Sequence, residues 1–177
     1  MVAMTPSVAE VAGRLEGSGE LVRQRAAWPD GCAAWVSQEI GRALPEDLEA
    51  FYRERIVRIG DFLAVAPVWR GREGWRHGIA AVTRAVPAGA VPIFSDGCGS
   101  WFGLDLEAGE TTPTIYFFDH EDGFRSPQWA AGSSLARFLL LLAQTDRAQD
   151  ENRPAKWQLE IDPDLERCAR APAIWAV

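Results

Sequence analysis

Apolar positions follow a helical spacing over the first third of the chain and a period of two through its middle. Thr5-Pro6 suits an N-cap and a first helical position, and Gly17 a stop, which predicts a helix of about ten residues. Gly17-Ser18-Gly19 breaks it, and a second helical stretch is expected over residues 20–27, ended by Pro29-Asp30-Gly31. Residues 32–43 then set Val36, Ile40 and Ala43, with Leu44, on one stripe. The strongest helical signal starts at Pro45, with Glu46 and Asp47 in the first turn, where acids suit the dipole. Leu48, Phe51, Tyr52, Ile56 and Ile59 form its apolar face, and Glu49 with Arg53 and Glu54 with Arg58 are spaced as i, i+4 pairs.

After Gly60 the pattern changes. Residues 62–69 read as a short strand, with Pro67 confining it to an edge or an end, 70–74 as a turn, and 75–86 as a mixed or extended segment. Residues 91–95, 101–106 and 112–118 alternate as strands: Phe102, Leu104 and Leu106 oppose Trp101, Gly103 and Asp105. Asp96-Gly97 and Gly99 suit a hairpin or bulge, and 107–110 and 119–123 read as turns. An extended piece at 128–130 leads to Ser133-Ser134, which cap a helix to about residue 145 carrying Leu135, Phe138, Leu139 and Leu142 on its buried stripe.

Residues 146–156 read as a charged linker, and Asp162-Pro163 opens a short helix in a docked C-terminal extension with Trp175 near its end. The order predicts an α+β fold: an antiparallel meander with N-terminal helices and a C-terminal helix packed on one face. A chain of 177 residues fits a single domain over 1–177, with an N-terminal helical segment at 1–30, a core at 31–145 and an extension at 146–177.

Charge sharpens this picture more than composition does. Of the net −7, all lies between Asp96 and Asp122, where Asp96, Asp105, Glu107, Glu110, Asp119, Glu121 and Asp122 stand without a single Lys or Arg. The remainder holds 18 acids against 18 bases. Such a segment repels nucleic acid and attracts a basic partner, and acids on strand edges and turns equally serve to block aggregation. Cys32, Cys98 and Cys168 are odd in number and lack C-x-x-C spacing, which favours reduced thiols and a cytoplasmic setting. The N-terminus lacks the basic and apolar regions of a signal peptide, and the longest strongly apolar run, 138–143, is too short for the ~20 residues that span a bilayer.

The chemical candidates are few. Cys98-Gly99-Ser100-Trp101 echoes the C-G-S-C-W pattern of papain-type proteases but lacks the second cysteine, and the residues after Trp101 alternate as a strand rather than winding into a helix. Ser100 lacks the G-x-S-x-G context of a nucleophile elbow. Asp119-His120-Glu121-Asp122 offers metal-ligating atoms, but adjacent turn residues point apart and no further His or Cys stands at ligand spacing, so no metal is expected. Trp69-Arg70-Gly71-Arg72 with Trp75-Arg76-His77 has the aromatic and basic character of a nucleic-acid platform. The acidic balance and a single lysine, Lys156, speak against that use, and pairing of these arginines with the acidic segment is expected instead. Neither glycine-rich phosphate motif is present, so no nucleotide cofactor is indicated.

Five stretches in order resemble the SUKH superfamily, the Smi/Knr family. They are Leu44-Pro45-Glu46-Asp47-Leu48 with Phe51; Val91-Pro92-Ile93-Phe94-Ser95-Asp96-Gly97 with Gly99; Trp101-Phe102-Gly103-Leu104-Asp105; Ile115-Tyr116-Phe117-Phe118-Asp119-His120; and Ser134-Leu135 with Phe138-Leu139. The resemblance covers about residues 35–145; it departs where Arg58-Ile59-Gly60-Asp61 replaces the family's usual Asn-Gly, and over 62–90. It implies an α+β domain whose bacterial members are commonly immunity proteins that bind and neutralise a toxin, often a nuclease, and whose fungal members regulate cell-wall synthesis. It brings no catalytic residues with it.

The expectation is therefore a non-catalytic protein-binding domain, an immunity protein whose partner is a basic toxin domain. Its contact residues are expected among Asp96, Trp101, Asp105, Asp119, His120, Glu121 and Asp122, with exposed tryptophans as anchors. A thiol hydrolase using Cys98 and His120 is the alternative from another class, and a regulatory interaction protein unrelated to toxins is a third.

Overall fold

The computed structural model describes residues 5–65, 68–82, 89–106, 113–124, 126–151, 153–154 and 156–168. Seven strands form one antiparallel sheet in chain order: β1 (Leu21–Arg23), β2 (Ile56–Ile59), β3 (Phe62–Ala64), β4 (Ala90–Ser95), β5 (Trp101–Asp105), β6 (Ile115–Phe118) and β7 (Trp129–Gly132). Helix α1 (Val8–Gly17) precedes the sheet, α2 (Cys32–Ile40) and α3 (Glu46–Glu54) join β1 to β2, α4 (Gly71–Val82) joins β3 to β4, and α5 (Leu135–Asp150) comes after β7. The architecture is α+β with helices packed on the sheet.

Cross-strand pairing sorts the side chains. Phe102 pairs with Phe117 and Leu104 with Ile115, and these face the helical core beside Phe138, Leu139 and Leu142 of α5. Trp101 pairs with Phe118 and Gly103 with Tyr116, so these point the other way. There they form a second cluster with Leu165 and with half-buried Trp157, Leu159 and Ile161 of the C-terminal segment. Both faces of β5 and β6 are covered, which is why all their residues are buried and both strands read as nearly continuous apolar runs.

Several expectations are corrected. Ser7, not Thr5, caps α1: its Oγ accepts from Glu10 N–H at 3.3 Å while the Glu10 carboxylate accepts from Ser7 N–H at 2.8 Å, a reciprocal capping box. Residues 21–23 are a strand rather than a helix, because Leu21 turns into the core beside Ile59 while Val22 stays 40% exposed. The long helix from Pro45 stops at Glu54; Arg55 takes φ 55°, and residues 56–59 become β2. Ile56 and Ile59 share a face because Val57 is an extra residue in the pairing with β1, so a bulge reproduces helical spacing inside a strand. The expected Glu54–Arg58 pair does not form; Glu54 meets Arg23 at 2.8 Å, while Glu49–Arg53 forms at 2.6 Å.

Residues 70–82 hold the largest difference. A 3-10 turn (Val68–Arg70) leads into α4 where a turn and an extended segment were expected. Its glycines disfavour a helix locally, and tertiary contacts override them: Trp75 Nε1 donates to Tyr52 Oη at 3.2 Å and packs edge-on to Trp35 at 5.9 Å. Arg72 and Arg76 grip Glu39 of α2 at 2.5 and 2.9 Å, not the acidic segment. They hold the Glu39 carboxyl below its ordinary pKa. Helix α5 runs to Asp150, five residues past the expected end, and the C-terminal segment forms 3-10 turns at Trp157–Glu160 and Leu165–Arg167. Pro67, the 107–110 turn and Trp175 lie outside the described residues.

Candidate recognition surface

The β4–β5 hairpin and the β6–β7 connection leave the same end of the sheet, because Ser95, Trp101 and Phe118 are successive cross-strand partners. In the hairpin, Asp96 Oδ1 accepts from Cys98 N–H at 2.8 Å and from Ser100 N–H at 3.1 Å. Ser95 Oγ accepts from Gly97 N–H at 3.1 Å. Gly97 and Gly99 take φ of 77° and 112°, the left-handed backbone this turn needs, and a Cβ on Gly99 would press on the His120 ring at 3.3 Å.

Ser100 ties the two loops together. Its Oγ lies 2.9 Å from His120 Nδ1, 3.3 Å from Asp119 Oδ1, and accepts from His120 N–H at 3.2 Å. With Nδ1 bare, the hydroxyl donates to it; with Nδ1 protonated, the ring donates to Oγ and the hydroxyl turns to Asp119. A serine, a histidine and an aspartate are thus gathered, but not as a relay. Serine and aspartate approach the same ring nitrogen, Asp119 at 3.5 Å, whereas a triad uses opposite ones. Ser100 is also only 3% exposed, and the backbone N–H of His120 occupies its oxygen. The group is a clip. Cys98 is exposed, but it makes no hydrogen bond with His120; its own N–H is held by Asp96.

Of the seven residues singled out in the sequence, five meet at this end: Asp96, Asp119, His120, Glu121 and Asp122. Glu121 and Asp122 are exposed, and Asp122 accepts from Gln128 Nε2 at 3.1 Å. Asp119 is partly committed inward, since it also accepts from Glu121 N–H at 2.9 Å. The other two do not join them. Trp101 is 0% exposed, its ring stacked on Phe118 at 4.2 Å, and Asp105 is 5% exposed at the opposite end of β5. The acids close in sequence are therefore split between the two ends of the sheet, with Glu107, Glu110 and Arg125 outside the described residues. Among the described residues no tryptophan is fully exposed, Trp28, Trp35, Trp69, Trp129 and Trp157 are half-buried, and the exposed large apolar side chains are Val22 and Leu63. The clip role of Ser100 is not legible in sequence, where a serine beside glycine raises only the question of a nucleophile.

Among the described residues, no three His, Cys, Asp or Glu side chains gather to hold a metal ion, and no helix is long and apolar enough to cross a membrane.

The meander, the helical layer and the polar loops clipped together at one end define an α+β domain of the kind that presents loops on a sheet. The sequence profile of the SMI1 / KNR4 family (SUKH-1) matches residues 34–139, more than half of the chain, and the chain belongs to that family. The family includes immunity proteins and points to protein–protein contacts in general. No curated protein and no solved structure matches the chain.

Proposed function

We propose that the chain is a non-catalytic immunity protein that binds and neutralises a basic toxin domain in the cytoplasm, through the acidic end of its sheet. The observation that supports this is the convergence of Asp96, Asp119, Glu121 and Asp122 in two neighbouring loops locked by Ser100. Fixed loops lose little conformational freedom on binding, and the surplus of acids over Arg125 in them speeds encounter with a basic surface.

The geometry also chooses the variants. Reversing Asp119 would break the clip as well as the charge, so the test uses Glu121→Lys with Asp122→Lys. The probe is a toxin domain encoded in an adjacent reading frame, produced together with this chain. Wild type is expected to protect the producing cells. The double variant is expected to associate about ten-fold more slowly at low salt, with the gap closing as salt rises, and to melt at the wild-type temperature. Absence of protection by wild type overturns the immunity role. Protection and association rates equal to wild type in the double variant overturn the acidic end as the contact.

A further inference from the structure

Cross-strand partners share a face, and one row of them crosses six strands of the sheet: Val22, Arg58, Leu63, Ser95, Trp101 and Phe118. The C-terminal segment covers Trp101 and Phe118. At the other end of the row Val22 and Leu63 are 40% and 49% exposed, and they are the exposed large apolar side chains among the described residues. Arg58 stands between them and joins them. Its Nη1 donates to Gly60 C=O at 3.2 Å, which turns the guanidinium along the strand and leaves the methylene stem in the row. The result is an apolar strip about 10 Å across, two strand spacings.

The strip adjoins the acidic loops. Ser95, the cross-strand partner of Leu63, directly precedes Asp96. Because β3 runs antiparallel to β4, the Gly60-Asp61 turn that joins Ile59 to Phe62 lies at the same end of the sheet as the β4–β5 turn. Exposed Asp61 therefore adds a carboxylate to that end from outside the acidic stretch of the sequence. Charge speeds encounter and selects partners more than it holds them, and an interface sets an apolar centre inside a polar rim. We infer that the partner of the acidic end, a basic protein surface, also lays an apolar side chain on the strip between Val22 and Leu63, so that its footprint runs from Asp122 past Asp96 and Asp61 onto the outer face of β1–β3. The inference rests on the acidic end being the contact. The two parts then act on different rates: the acids set association, and the strip sets dissociation.

The test measures association and dissociation rates of the full chain with the toxin domain of the adjacent reading frame, at low and high salt. Val22→Thr with Leu63→Thr keeps residues that suit exposed strand positions while removing apolar surface. This variant is expected to dissociate about ten-fold or more faster at both salt concentrations, to associate within about two-fold of wild type, and to melt at the wild-type temperature. If the double variant does not fold, Leu63→Thr alone, at the more exposed site, decides with the same signature. Dissociation equal to wild type overturns the strip as a contact, and if Glu121→Lys with Asp122→Lys still slows association, the acidic end stands without it. A defect that vanishes as salt rises also overturns it, because an apolar contact is not screened. So does a wild-type dimer at the assay concentration that Leu63→Thr dissociates, since a second copy would then cover the strip. A wild-type chain that does not bind the toxin domain overturns both readings.

Discussion

At Cys32 the side chain is 0% exposed, and burial pushes its thiol up to about 11, with Arg53 opposing only in part. Cys98 sits exposed in the β4–β5 turn, and Cys168 is half-buried. The thiolate is the species that attacks a thiol reagent, and access decides the rest. A disulfide-exchange reagent at pH 8 is therefore expected to modify Cys98 first, Cys168 more slowly, and Cys32 only when the chain unfolds; early loss of Cys32 would contradict its placement. Burial also sets the sign of the pH effect. A folded-state pKa raised from about 9 means that the thiol's contribution is whole below pH 9 and is lost as pH climbs toward 11, as the unfolded chain ionises first. Cys32→Ala should flatten the fall of stability across that window, measured by urea unfolding at each pH.

Between elements, one buried ion pair joins parts of the chain that the sequence keeps apart. Arg137 of α5 meets Asp162 at 2.9 Å, their side chains 8% and 0% exposed, and Asp162 also accepts from Ser133 N–H and Oγ at 2.6 Å. Arg137 reaches Asp164 at 3.1 Å and Thr5 at 3.3 Å as well. Removing Asp162 leaves Arg137 with only the more exposed Asp164 as a carboxylate partner and leaves Ser133 N–H and Oγ without their acceptor. Asp162→Ala is therefore expected to cost about 3 kcal/mol, the lower end of the cost of breaking a buried pair. Asp162→Ala with Arg137→Leu should cost clearly less than the sum of the two single changes in urea unfolding; strict additivity would mean that the pair is not coupled.

Nothing in the residue pattern announces this pair, because an aspartate before proline reads as a helix start and an arginine in an apolar helix reads as its exposed side. The strands from Val91 to Phe118 were legible because Phe102, Leu104, Ile115 and Phe117 alternate cleanly against Trp101, Tyr116 and Phe118. Strand β2 was not, since the Val57 bulge gives Ile56 and Ile59 a helical spacing. Nor was α4, whose glycines argue for a turn and whose helix is held by Tyr52, Trp35 and Glu39 from elsewhere. At the acidic end, the charges could be read in order, but only the pairing of β4, β5 and β6 shows which of them meet and that Trp101 faces inward.

Taken as a whole molecule, the chain is larger than its family match. The matched region ends at residue 139, inside α5, yet the second face of the sheet is covered by the C-terminal turns beyond that helix. Leu165 is 1% exposed in the cluster with Trp101, Tyr116 and Phe118, and Trp157, Leu159 and Ile161 pack around it. By contrast, at the β1–β3 end of that face Val22, Arg58 and Leu63 are exposed cross-strand neighbours. Truncation after Glu151 would uncover the Trp101 cluster and remove both carboxylate partners of Arg137 in a single step. Losing a buried leucine costs about 1.5–3 kcal/mol and breaking a buried ion pair about 3–5, a sum comparable with the whole stability of many domains. For a chain of this length, that predicts a melting temperature lower by about 10–30 °C, with exposed apolar surface that binds a hydrophobic dye. A truncated chain that melts within a few degrees of the full one would show the segment to be an appendage. A large fall would make it part of the folding unit, although it lies beyond the residues that the family profile matches.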